Sequence, residues 1–169
     1  MFLEKWNRKF LEKYTFNNLM GDTHRMAFKE KDIVDHLHDN WHEYFPELIG
    51  CKKEFTFRNS RVDILSSCPV DLYEFGIRSE DDTCRYINAA VLVEVKYNNN
   101  QRDLLFELQK HVSFRNWYIN QGKSYCYIVV ISNEFDEHMV KYMQDNEVIM
   151  MKYSIENEDL NTFNIEEYE

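Results

Sequence analysis

The sequence predicts an α/β fold, a mixed central β-sheet flanked by helices, and three observations carry that expectation. Two apolar runs, Ala89 to Tyr97 and Ser124 to Ile131, are dense enough in Val, Ile and Leu to be strands buried on both faces. The stretch between them is long enough for one crossover helix, as a parallel strand pair requires. Upstream, residues 54–65 alternate apolar and polar on either side of Asn59-Ser60, the pattern of a hairpin.

The elements follow in order. Phe2, Trp6, Phe10, Leu11 and Tyr14 recur at helical spacing, so residues 2–20 predict an amphipathic helix. Its aromatic stripe reads as packing or a dimer face before it reads as a base-stacking surface. A second helix is expected over 29–44, with Ile33, Val34, Leu37 and Trp41 as its apolar stripe and Pro46 beyond its end. Strands are expected at 54–58, 61–65 and 89–97, with residues 66–88 as a polar loop or insertion. A helix over 101–121 ends at Gly122. A strand at 124–131, a helix at 134–146 and a strand at 147–153 complete the order. One domain is expected over 1–169: a helical extension over 1–27, a core over 28–153 and an acidic, flexible tail over 154–169.

The composition suits one globular core, with 44% hydrophobic and 15% aromatic residues in a chain of 169. A net charge of -10 argues against a whole surface built for nucleic acid, because phosphate neutralisation dominates such binding. A local basic groove is compatible with it. The four cysteines, Cys51, Cys68, Cys84 and Cys126, form no CxxC pair, so no zinc ribbon is expected. No apolar run is long enough to span a membrane, and the first residues lack the apolar stretch of a signal peptide. A cytoplasmic setting is the expectation.

Chemistry is concentrated on two strands. Asp63 interrupts Val62-Asp63-Ile64-Leu65, and Glu94 interrupts Val91 to Val95. Lys96 follows Glu94 by two residues, so the two share a strand face with Leu92. Charges in a buried strand are costly unless paired or metal-bound. Two carboxylates suit Mg²⁺ or Mn²⁺, which keep several waters, and the backbone carbonyl of Val95 is a third candidate ligand. Such an ion polarises a phosphate and acidifies a bound water, and Lys96 is placed to orient that water or to meet developing charge.

Arg61-Val62-Asp63 with Val93-Glu94-Val95-Lys96 resembles the RecB-like branch of the PD-(D/E)XK nucleases over roughly residues 28–132. The segment Glu30-Lys31-Asp32-Ile33-Val34 with His38-Asp39-Asn40 is similar to the corresponding helix of NucS-like endonucleases. The resemblance implies a restriction-endonuclease-like αβββαβ core with an extra N-terminal helix. It implies a metal-dependent deoxyribonuclease with Asp63 and Glu94 as ligands and Lys96 as the catalytic cation. It adds Glu30 as a further ligand and Gln109, on the helix after ExK, as a site residue sharing a face with Leu105, Leu108 and Val112. Two positions depart from the pattern: Val62 stands where a proline is usual, and Ser113 where a tyrosine is. DNA is the expected substrate, with RNA second. A homodimer or a larger nucleic-acid-processing assembly is compatible with a chain of this size. The alternative is a catalytically silent module of the same fold that binds nucleic acid or a protein.

Plainer readings stand beside these. Asp63 and Lys96 can form a simple buried ion pair, and Glu30 can be a helix-start acid favoured by the dipole. His38 and His42 have zinc spacing, but Asp39 stands where HExxH has glutamate and no third ligand is evident, so they read as a solvated face. His36 and His111 have no assigned role. Arg58, Arg61, Arg102, Lys110, Arg115 and Lys123 are candidate phosphate contacts.

Overall fold

The computed structural model describes residues 28–58, 60–71, 86–97, 101–122 and 125–168, with only the backbone of residues 101 and 102. The helix expected over 2–20 lies outside them. Helix α1 spans Glu30–Asp39 and the short α2 spans Trp41–Tyr44. One helix was expected here, but Asn40 leaves helical geometry at φ -113 and ψ 22, and its N–H bonds back to His36 O. Strands β1 (Ile49–Phe57), β2 (Ser60–Asp71) and β3 (Tyr86–Lys96) follow, then α3 (Gln101–Asn120) and β4 (Cys126–Ser132). Helix α4 (Glu137–Asp145), β5 (Ile149–Ser154), a 3-10 turn (Leu160–Thr162) and β6 (Asn164–Glu167) complete the elements among the described residues.

The six strands form one mixed sheet in sequence order. β1, β2 and β3 pair antiparallel, β3–β4–β5 pair parallel, and β6 returns antiparallel on β5. The two parallel steps, bridged by α3 and α4, run the same way across the sheet. Crossovers of one hand therefore lay both helices on one face. Leu104 and Leu108 of α3 join Met139 and Met143 of α4 in a core with Leu92, Ile128 and Val130. Ile33, Leu37 and Trp41 pack the opposite face against Val91, Val93, Val95, Val129 and Ile131. The result is three layers, and each fully buried aliphatic side chain contributes about 1.5–3 kcal/mol of hydrophobic stabilisation.

Three expectations are corrected. The hairpin is longer than the alternation at 54–65 indicated. β1 starts at Ile49, across an irregularity between Ile49 and Lys52, where Gly50 has φ +68. The flanks of the expected loop are strand: β2 continues through Asp71 and β3 begins at Tyr86. The serines hid this, although Ser66, Cys68 and Val70 alternate inward and Ser66 Oγ donates to Gly50 O at 2.6 Å. The acidic tail is not a loose surface segment. Phe163 and Ile165 are buried, and β6 carries its glutamates at the edge of the sheet.

Candidate active site

The site forms where β2 and β3 part. Their ladder runs from Asp71–Tyr86 to Ile64–Val93, and one more step would set Asp63 opposite Glu94. Two carboxylates facing each other across a pair repel. Here Asp63 uses its side chain instead, and Oδ2 accepts the Val95 N–H at 2.8 Å. Both acids lie on the α3 side, because Glu94 alternates with Val93 and Val95, and Asp63 with Ile64, which face the α1 core.

Glu94 is 3% exposed and Lys96 is 6% exposed. Lys96 Nζ lies 2.8 Å from Glu94 Oε1, 2.9 Å from Glu107 Oε2 and 3.5 Å from Glu30 Oε1. The other Glu94 oxygen, Oε2, meets His111 Nε2 at 3.1 Å, and His111 is fully buried. Asp63, Glu94, Lys96, Glu107 and Glu30 line one open cleft of about 400 Å³, joined by Arg58, Arg61 and Lys110.

The electrostatics follow from this crowding. Burial first, and then the Glu94 charge, push the Asp63 carboxyl up to about 7. Burial also raises Glu94, against the pull of Lys96. Burial alone would lower Lys96, but its attraction to Glu94 and its bonds to Glu94 and Glu107 hold its proton more tightly than usual. Burial similarly opposes ionisation of Glu107, yet the bond from Lys96 draws it below the ordinary range. Burial depresses His111 to about 4, so its ring is neutral at pH 7.

The structure brings together four of the five residues expected to act: Asp63, Glu94, Lys96 and Glu30. Gln109 is elsewhere. It is exposed on α3 and lines a neighbouring cavity. The buried stripe of α3 is Leu104, Leu108 and His111, not Leu105, Leu108 and Val112. Glu107 and His111 therefore face the acids. A histidine one turn beyond Leu108 was the available signal, and α3 obscured it by being apolar nearly all round.

Among the cations, Arg58, Arg61 and Lys110 line the cleft, whereas Arg115 donates to Glu147 O at 3.4 Å, away from it. The side chain of Arg102 and all of Lys123 lie outside the described residues. His38 contacts Asp39 at 2.9 Å and His42 is exposed, as a solvated face requires. His36 Nε2 meets Tyr44 OH at 2.8 Å and serves packing.

Among the described residues, no three His, Cys, Asp or Glu side chains already converge as a ligand set. Both oxygens of Glu94 and one of Asp63 have protein partners. The donor chemistry nevertheless fits a hard divalent cation. Glu94, Glu107 and Glu30 lie within 3.5 Å of one ammonium, and Asp63 lines the same cleft, so hard oxygen donors are crowded around it.

No protein-family model matches the chain, and no curated protein matches it. A solved structure titled "Structure of EndoMS-dsDNA2 complex" is similar to it, with a TM-score of 0.50 and 12% sequence identity. The likeness covers 78% of this chain and 47% of that one, so this chain spans about half of that protein. At this identity, what the two share is the fold.

Proposed function

We propose that the protein is a Mg²⁺- or Mn²⁺-dependent nuclease that hydrolyses phosphodiester bonds in DNA. The observation that carries this reading is the convergence of Glu94, Glu107 and Glu30 on the Lys96 ammonium beside Asp63, in an open cleft at the parting of two strands. The fold shared with EndoMS, a protein solved with double-stranded DNA, supports it.

Asp63 and Glu94 would hold the ion, with Glu30 and Glu107 in the same cleft and the Val95 carbonyl as further donors. The chemistry such an ion supplies is polarisation of a phosphate and a more acidic bound water. Lys96 keeps its proton and presents a fixed positive charge to the attacking water or to the phosphate oxygens. His111, neutral and fully buried, holds one oxygen of Glu94 and so orients the carboxylate. Arg58, Arg61 and Lys110 line the same cleft, where they would meet a polyanion entering an otherwise acidic molecule.

The test is cleavage of labelled single-stranded, duplex and branched DNA, and of RNA, with Mg²⁺ or Mn²⁺ and with EDTA. Metal-dependent cutting of DNA that is lost in Glu94→Ala and Lys96→Ala is the expected result. Cutting of RNA alone would replace the substrate. No cutting of any substrate by the wild type would sink the enzyme and favour a silent binding module.

A further inference from the structure

A second cavity, of about 360 Å³, opens beside the catalytic cleft. The two share Arg58, Ser60 and Lys110, so they form one continuous surface. The floors differ. Among the described residues, the catalytic cleft is lined by four carboxylates, whereas the second cavity is lined by none and instead by Phe57, Phe106, Phe114, Arg58, Lys110 and Gln109 among others. In a chain with 30 acidic residues, a wall whose described residues include two cations and no acid is a local reversal of charge.

The wall comes from one stripe of α3. Phe106, Lys110 and Phe114 are four apart and therefore stand above one another on the helix. Phe106 is 60% exposed, and Lys110 Nζ lies 4.0 Å from its ring centroid. The Phe114 ring is fixed against Phe57 at 4.1 Å. Across the cavity, the β1–β2 turn holds Arg58 at φ 50, with its guanidinium over the Trp117 ring at 3.7 Å. An exposed phenylalanine, a second aromatic and a planar guanidinium suit a flat, electron-rich ring. The adjoining cations suit the phosphate attached to it.

We propose that this cavity is a nucleobase subsite. It receives an unpaired base next to the phosphate in the catalytic cleft, with Phe106 and Arg58 as its stacking surfaces and Lys110 on the linking phosphate. The proposal rests on the nuclease reading and deepens it: the preferred strand has an unpaired nucleotide beside the scissile bond, because a base inside a duplex presents no open face.

The test uses binding alone, in EDTA, so that it does not depend on cleavage. Kd for a short labelled single strand is measured by anisotropy for wild type, Phe106→Ala, Phe106→Trp and Arg58→Gln. The measurement is repeated with one abasic site moved along the strand, and thermal melting checks that each variant is folded. Phe106→Ala is expected to weaken binding roughly tenfold, from loss of one base–aromatic stack, and Phe106→Trp to retain it. One abasic position should weaken the wild type by the same factor and abolish the difference between wild type and Phe106→Ala. A Phe106→Ala defect that is absent, or equally large at every abasic position, overturns the subsite. If the subsite behaves as expected while Mg²⁺ and Mn²⁺ support no cutting, the nuclease reading fails and the base-binding site stands.

Discussion

Strand β3 offers two surfaces in one segment. Val91, Val93 and Val95 face α1 and enter a core without a charge, while Leu92, Glu94 and Lys96 face α3, and the last two are ionisable. Both sets are buried, so burial does not separate them. What separates them is partnership. The valines need only close packing, whereas Glu94 and Lys96 need Glu107, His111 and Glu30 from three-dimensional neighbours. One face of the strand holds the protein together and the other carries charge that folding alone does not require.

The comparison breaks most sharply at Lys96. Lys96→Ala removes the ammonium shared by three carboxylates, and breaking a buried pair of this kind costs about 3–5 kcal/mol. Urea unfolding in EDTA should register that loss, with partial recovery in Mg²⁺. The turnover of whatever folds should fall by about 10²–10³-fold. Full stability in EDTA would mean that the cluster tolerates its charge without the lysine.

Ile131→Ala, on the valine face, should cost a comparable 2–5 kcal/mol or so by opening a cavity. Cleavage per folded molecule should not change. A change in kcat at full folding would show that the two faces are not separable.

His111→Ala sharpens the charged face. It removes one support of the Glu94 carboxylate, and metal affinity should weaken about 10–100-fold, read by titration of Mn²⁺ into the protein. An unaltered affinity would reduce His111 to a packing residue.

A smaller effect separates Asp63 from the rest by pH. Its folded pKa of about 7 lies above the ordinary 3.8, so between those values the native state holds a proton that the unfolded chain has lost. Asp63 therefore lowers stability as pH rises from about 4 to 7. His111, depressed to about 4, acts in the opposite sense as pH rises from about 4 to 6.5, so the two partly cancel in the wild type. Asp63→Asn removes one of them. In EDTA its Tm relative to wild type should climb across that range, by at least about 2 °C. Mg²⁺ should flatten the wild-type loss. A pH-independent difference would contradict the raised pKa.

The smallest effect is expected at the surface. Lys53 meets Asp35 of α1 at 2.7 Å, but both side chains are more than a third exposed. Lys53→Met should change stability by less than about 1 kcal/mol. A larger loss would make the α1 layer depend on charge, as the α3 layer does.

The strands and the acids were legible because β-periodicity is local. A carboxylate or a lysine inside Val-rich runs is visible without any neighbour, and alternation alone put Glu94 and Lys96 on one face with Leu92. The third helix was not legible in the same way. Its apolar residues surround the axis, and the face that the resemblance gave to Gln109 is not the one that meets the acids, where Glu107 and His111 stand. The serines of β2 and the glutamates of β6 misled for a related reason. An edge or half-buried strand tolerates polar side chains, and its pairing partner, not its composition, makes it a strand.

By itself, then, the sequence determined the α/β class, the order of strands and helices from α1 to β5 apart from the break that makes α2, and the three charged residues Asp63, Glu94 and Lys96. These depend on periods of two and on the cost of burying charge, which act within a few residues. Only the tertiary structure decided the parting of β2 from β3, the rotation of α3 and the sixth strand. It also set a charged cleft beside an aromatic cavity. These depend on contacts between residues far apart in the chain, such as Glu94 with His111 and Arg58 with Trp117, which no local pattern encodes.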